Sequence, residues 1–477
     1  MIESCQLLNK NFVKYAGKSV LLCDERSWTY TELLIEGWRR VKYWQSLGLT
    51  KGTRVLLYSP NNRLEYLFSV LACSLGGYEA VSVSQKASSS EVRHICEVTQ
   101  PDLEWGNIRV DLPTEINIID ASFENVNVIF FTSGTSSLPK GVCHDFATLL
   151  ANAHSFNQKA ELDVGVKMIH VMPTGYMAGL LNTFLSPLMA GGSVVLGDAF
   201  DVKSALSFWK LVRDRNVNSM WLTPSMVAAL GPLCKGAETQ SWMRSNLRHV
   251  FVGTAPLHAA TREAFYNHVG VNCLESYGMT ECMFVSVKPA AVPGLEGSVG
   301  LTLAGVEIEV RDSFGAALSP NQEGNIWVHS NYALLGYLDA DNLRPALDLE
   351  EEGWFDTGDI GRVNVDGFLF ITGRRKDLII HGGTNVSPKQ VEDVLLKYTG
   401  VKDAAVIGVS HPFWVEEVLA FLIPEPGILL EEKALNIFCG QHLNPDAIPS
   451  RFICVDSFPK SSNGKVQKHV LRQNTYN

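Results

Sequence analysis

Residues 131–142 read FTSGTSSLPKGV, a stretch with two glycines, two threonines, three serines and a lysine that follows the apolar run VNVIF at 126–130. Glycines and small hydroxyl residues let several backbone N–H and side-chain O–H groups converge on one anion, and a nearby lysine adds a point charge. The chemistry that suits this composition is capture of a phosphate chain by Thr132, Ser133, Gly134, Thr135 and Lys140. It is not a Walker loop, because no second glycine followed by lysine stands at the required distance from Gly134. Taken alone, the stretch reads first as a flexible surface loop.

Five more short signatures hold most of the remaining chemistry-bearing residues: GTAPL (253–257), ESYGMTE (275–281), WFDTGD (354–359), GRRKDLIIHGGTNVSPKQVE (373–392) and PKSSNGKVQK (459–468). Each has an ordinary reading by itself. Glu281 could be a solvated loop acid, Tyr277 a core aromatic, Asp359 a turn former and Lys465 a solvated lysine on a polar loop. In this order and at these distances, the six together resemble the adenylate-forming superfamily. That superfamily comprises acyl- and aryl-CoA synthetases, adenylation domains of peptide synthetases and firefly-type luciferases. The likeness runs from about SWTYTELL (27–34) to the C-terminus and is greatest to acyl- or aryl-CoA ligases.

The resemblance implies an enzyme that joins a carboxylate to the α-phosphate of ATP, expels pyrophosphate and then forms a thioester. It assigns FTSGTSSLPKGV to the ATP phosphates, Thr280 to hydrogen bonding with the α-phosphate and Glu281 to Mg²⁺. A carboxylate completed by water and phosphate oxygens suits a hard cation. Tyr277 would stack on adenine, with Glu275 and the backbone of Thr254, Ala255 and Pro256 lining the base. Asp359 would accept from the ribose hydroxyls beside Arg374. Lys465 would bridge carboxylate and phosphates during adenylation, as a flexible cation can where negative oxygen accumulates around one phosphorus.

Lys376 in GRRKD would be the hinge about which a C-terminal domain turns after adenylation. Gly382 and Gly383 lack side chains and would let an extended pantetheine pass close to the backbone, which favours thioester formation over adenylation alone. By position, the acyl pocket is expected to be walled by Tyr176, Met177, Gly179, Met226, Gly253, Gly278, Met279 and Met283. This mostly apolar set favours a hydrophobic acyl or aryl acid over an amino acid. Coenzyme A is the expected acceptor, with the phosphopantetheine of an acyl carrier protein as the alternative. A catalytically inactive nucleotide-binding regulator is the reading from another class. The sequence departs from the family pattern at Ser137, where a second glycine is usual, and at Phe146, where histidine is common.

Positioning such groups takes a layered scaffold. Strand candidates at 54–60, 126–131, 167–173, 192–197, 219–224 and 249–254 alternate with helical spans such as 64–77 and 203–216. This alternation predicts α/β architecture with largely parallel sheets. After about residue 295, short strands between turn residues suit a small antiparallel β subdomain. The charged run at 373–377 then divides a large N-terminal domain (1–372) from a mobile α+β C-terminal domain (378–477), which is expected to hold a helix at 388–398 and strands at 403–409 and 417–424.

At 477 residues and 46% hydrophobic, the chain exceeds what one core usually supports. Its net charge of -10 argues against a sequence-independent grip on nucleic acid. Ten scattered cysteines without a C-x-x-C pair read as reduced core residues of a cytoplasmic protein. Neither a membrane span nor a secretory signal is indicated.

Overall fold

The structure is a computed structural model that describes residues 2–59, 62–85, 87–106, 110–116, 121–132, 139–290, 295–338, 343–344, 353–460 and 466–474. Among these residues, two mixed sheets form the bulk of the N-terminal region. In one, the strands Lys167–His170, Ser193–Leu196, Ser219–Leu222, His249–Val252 and Cys273–Met279 lie parallel, with Met283–Val287 antiparallel at one side. In the other, Arg54–Leu57, Glu79–Ser82, Leu103–Trp105 and Asn127–Thr132 are parallel. The sheet then continues through the antiparallel strands Lys140–Asp145 and Gly336–Leu338.

Side-chain alternation explains how these sheets stack. Along Ser219–Leu222, Trp221 enters an apolar cluster shared with Val128 and Phe130 of the other sheet, while Met220 and Leu222 join a second cluster with Phe208, Trp209 and Phe265. The first cluster therefore fills the space between the sheets, and the second lies beneath the helices on the outer face. The Arg63–Gly76 helix is buried almost throughout and belongs to the first cluster. Asn62 caps its start and Gly77, in the left-handed region, closes its end.

Four antiparallel strands follow: Val306–Arg311, Gly324–Ser330, Trp354–Val363 and Leu369–Arg374. The smaller C-terminal domain has its own sheet and its own apolar core. Val401–His411 and Val415–Pro424 form a long antiparallel pair, and Arg451–Cys454 runs parallel to the latter. The expected alternation, the largely parallel sheets and the antiparallel subdomain are all present.

Element ends differ more. The helix expected over 388–398 stops at Leu395. Lys397 and Tyr398 bond three residues back, to Val394 and Leu395, so the last turn tightens out of α geometry. The strand expected over 54–60 ends at Leu57.

Candidate active site

Two hairpins and one strand meet at the edge of the parallel sheets. In the first hairpin, Thr132 pairs with Lys140, so the ladder ends where the hydroxyl-rich loop begins. Ser133, Gly134 and Thr135, like Lys465, lie outside the described residues. Lys140 is exposed, and its ammonium sits 5.4 Å from the centre of the Tyr337 ring. The Lys140–Asp145 strand passes directly into the Phe146–Ala160 helix, whose first turn is capped by the Asp145 carboxylate accepting from Thr148 N–H at 2.8 Å.

The second hairpin joins Cys273–Met279 to Met283–Val287 through Thr280, Glu281 and Cys282. Met283 closes the turn at φ 58°, a left-handed conformation that a bulky residue adopts only when its surroundings enforce it. Those surroundings are visible. The His144 ring bonds the Thr280 carbonyl through Nε2 at 2.6 Å, and Leu334 N–H donates to the Glu281 carbonyl at 2.8 Å. Asn152 accepts from Phe284 N–H at 3.1 Å and donates to its carbonyl at 2.9 Å. The Tyr337 hydroxyl lies 3.5 Å from Glu281 Oε1.

Burial pushes the His144 imidazole down to about 4, so it is neutral near pH 7 and its Nε2–H can donate to Thr280. No hydrogen-bond partner meets Nδ1 among the described residues. His144, Asn152 and Tyr337 were not anticipated from sequence. A histidine or asparagine inside an apolar run reads as a core residue, and only the pairing of distant segments shows what it touches.

Asp359, on Trp354–Val363, is 3% exposed and pairs in register with Arg374 on the neighbouring strand. Tyr277 Oη donates to its Oδ2 at 2.6 Å, and Arg374 Nε donates to its Oδ1 at 2.9 Å. A carboxylate offers about four lone-pair positions, so roughly two remain for further donors such as a vicinal diol. Burial, reinforced by the negative Asp359, raises the Tyr277 phenol well above its ordinary value and keeps it a neutral donor. Burial pulls the Arg374 guanidinium down, but the negative charge of Asp359, together with Tyr277, Asp377 and the hydrogen bond to Asp359, outweighs it and the net shift is upward. The structure thus joins Tyr277, Asp359 and Arg374 in one network.

Glu275 is placed differently from a simple wall of the base site. Its buried carboxylate accepts from Arg262 Nη1 at 3.0 Å, which ties the Ala259–Val269 helix to the strand beside it. Burial raises the Glu275 carboxyl, against the opposing pull of Arg262 and Lys288. In the segment that precedes this helix, Thr254 has φ 73° and Ala255 and Pro256 are exposed.

The eight residues expected around an acyl group are divided. Met226 is buried in the outer apolar cluster, and Met283, 1% exposed, in the inner one. Met177 and Met279 pack partly buried against the inner cluster, and Tyr176 is half-buried. Side chains at Gly179 and Gly278 would meet the carbonyls of Pro173 at 1.9 Å and Met283 at 2.2 Å, so close backbone approach dictates these glycines. A side chain at Gly253 would reach the Trp221 ring at 3.2 Å.

Beyond the antiparallel sheet, Arg375–Asp377 forms a short 3₁₀ turn with Lys376 exposed, and Arg375 Nη2 donates to Asp356 at 2.5 Å. Gly382 and Gly383, with φ 56° and 88°, make the two-residue tip of the hairpin between Ile379–His381 and Thr384–Val386. Two consecutive positive φ values are what a type I′ turn requires. Contacts that cross the 373–377 segment include Ser387 Oγ to Thr372 O at 2.8 Å, Lys389 Nζ to Ile371 O at 3.1 Å and His258 Nδ1 to Asp393 Oδ1 at 2.6 Å.

The chemistry of the Glu281 carboxylate suits Mg²⁺, which takes its other ligands from phosphates and water. Among the described residues, no three His, Cys, Asp or Glu side chains gather as an all-protein metal site. Comparisons with known proteins show the family to which this arrangement belongs. Residues 106–338 match the AMP-binding enzyme model and residues 390–465 the AMP-binding enzyme C-terminal domain. The 2-succinylbenzoate–CoA ligase of Bacillus pumilus is 30% identical over 98% of this chain and 97% of its own length. The medium-chain fatty-acid–CoA ligase of Escherichia coli is 31% identical over 78% of this chain and 65% of its own. Among solved structures, ATP-bound MatB from Rhodopseudomonas palustris superposes with a TM-score of 0.86 at 24% identity, covering 98% of each chain. The chain belongs to the AMP-binding enzymes of the adenylate-forming superfamily.

Proposed function

We propose that the protein is an ATP- and Mg²⁺-dependent acid–CoA ligase that activates a small carboxylic acid as its acyl adenylate and passes the acyl group to coenzyme A. The observation that carries this reading is the Asp359 clamp, a buried carboxylate held by Tyr277 and Arg374 with acceptor capacity left for a ribose. It adjoins, through the Tyr277 strand, the anchored Thr280–Glu281 turn. The CoA-ligase activities named for the relatives support the same conclusion.

In the first step, a carboxylate oxygen attacks the α-phosphorus, the bond from that phosphorus to the bridging oxygen breaks, and pyrophosphate leaves. Thr132, Ser133, Gly134, Thr135 and Lys140 hold the phosphates, Thr280 donates to the α-phosphate, and Lys465 offsets the charge that accumulates there. Glu281 would hold Mg²⁺, which when bound would supply further charge neutralisation. Tyr277 and the Thr254–Pro256 backbone border adenine. In the second step, the thiolate of CoA attacks the acyl carbon and AMP departs.

Residues 1–372 and 378–477 act as two domains about a hinge at 373–377, with Lys376 as its pivot. The Gly382–Gly383 tip borders the pantetheine. Tyr176, Met177, Gly253 and Met279 form the acyl wall, and their apolar character favours a hydrophobic acyl or aryl acid. Pyrophosphate release across a panel of carboxylic acids, with free CoA and with a phosphopantetheinylated carrier protein in parallel, tests this reading. Acid-dependent release followed by acyl-CoA formation is expected. Release that stays at background for every acid would overturn it, and transfer only to the carrier protein would overturn the choice of acceptor.

A further inference from the structure

We infer that His144 is a positioning residue for the adenylation centre. It sets the Thr280–Glu281 turn against the phosphate-holding hairpin by donating from Nε2 to the Thr280 carbonyl. This inference rests on the proposed roles of Thr280 and Glu281.

One continuous unit carries the relevant groups. The Lys140–Asp145 strand runs into the Phe146–Ala160 helix without a loop, so Lys140, His144 and Asn152 keep fixed spacing. Lys140 stands at the mouth of the phosphate loop. His144, fully buried, takes the Thr280 carbonyl at 2.6 Å, and Asn152, also fully buried, takes both backbone groups of Phe284. The second hairpin is therefore held on both sides of its turn by the element that bears Lys140. Met283 at φ 58° makes this grip necessary, since the turn would otherwise relax toward an ordinary conformation. Outer groups that orient a metal-binding or phosphate-binding residue typically change affinity by about 10- to 100-fold when removed.

The test compares His144→Met, which keeps the volume and removes the donor, with His144→Gln, whose amide can reach the same carbonyl. Glu281→Gln serves as the control for the site itself. MgATP affinity is read by calorimetry, and amide hydrogen exchange is followed in peptides spanning 277–284. His144→Met is expected to weaken MgATP about ten-fold and to accelerate exchange in that segment alone, with His144→Gln near the parent in both. If His144→Met does not fold, His144→Asn replaces it, because its amide stops short of the carbonyl. Unchanged affinity and local exchange in the donor-lacking variant, or exchange accelerated equally throughout the sheet, would overturn the inference. If Glu281→Gln leaves MgATP binding unaltered, the reading of the site fails instead.

Discussion

In the proposed site, Asp359 is a buried side chain committed to structure and also offered to a substrate. Two of its acceptor positions are taken by Tyr277 and Arg374, which leaves about two for the proposed ribose. Asp359→Asn keeps the shape but replaces one acceptor oxygen with a donor, so either Tyr277 or Arg374 loses its partner. Hydrogen bonds to charged groups contribute about 1.5–3 kcal/mol each, so losing the proposed ribose contact to the carboxylate corresponds to a rise in KM for ATP of about 10- to 100-fold. The variant is also expected to use ATP and 2′,3′-dideoxy-ATP alike, whereas the parent prefers the ribose form. Steady-state pyrophosphate release with both nucleotides checks this.

Hairpins and strand-to-helix joints decide where such residues stand. Asn152 satisfies both backbone groups of Phe284 from the buried face of the Phe146–Ala160 helix. Asn152→Ala would leave two buried groups unpaired, at about 1–3 kcal/mol each, so chemical denaturation should show a loss of about 2–6 kcal/mol. At this scale the sequence was partly legible. Periodicity located the parallel strands and the helix expected over 64–77, which spans Arg63–Gly76. The Tyr277, Asp359 and Arg374 positions could be anticipated from motif resemblance, and they do meet. What periodicity cannot show is register between distant strands, which is why His144 and Tyr337 went unnoticed. Nor could it distinguish a glycine that opens a pocket from Gly179 or Gly278, where a carbonyl occupies the space.

For the whole molecule, the contacts across 373–377 set the relation between its two parts. His258 is pulled down by burial but raised overall, because Asp393 accepts its hydrogen bond and adds negative charge; Glu392 reinforces this and Lys389 opposes it. A raised histidine contributes stability that is fully present below its ordinary value of 6.5 and is lost as pH rises through the folded value. Proton NMR titration should therefore place His258 above 6.5, and Asp393→Asn should lower it, since burial, the largest influence, is then opposed only by the weaker charge of Glu392. The role proposed for Lys465, an entry for adenylation alone, also separates the two half-reactions. Lys465→Ala is expected to abolish acyl-adenylate formation while leaving thioester formation from supplied acyl adenylate largely intact. Equal loss in both would contradict its assigned role.

Every assignment depends on one nucleotide lying between the phosphate loop and the Tyr277 hairpin. A crystal structure with a non-hydrolysable ATP analogue and Mg²⁺ tests this most directly. The phosphates are expected between residues 132–140 and Thr280–Glu281, with the ribose hydroxyls on Asp359. A nucleotide bound elsewhere, with Asp359 contacting only Tyr277 and Arg374, would contradict it.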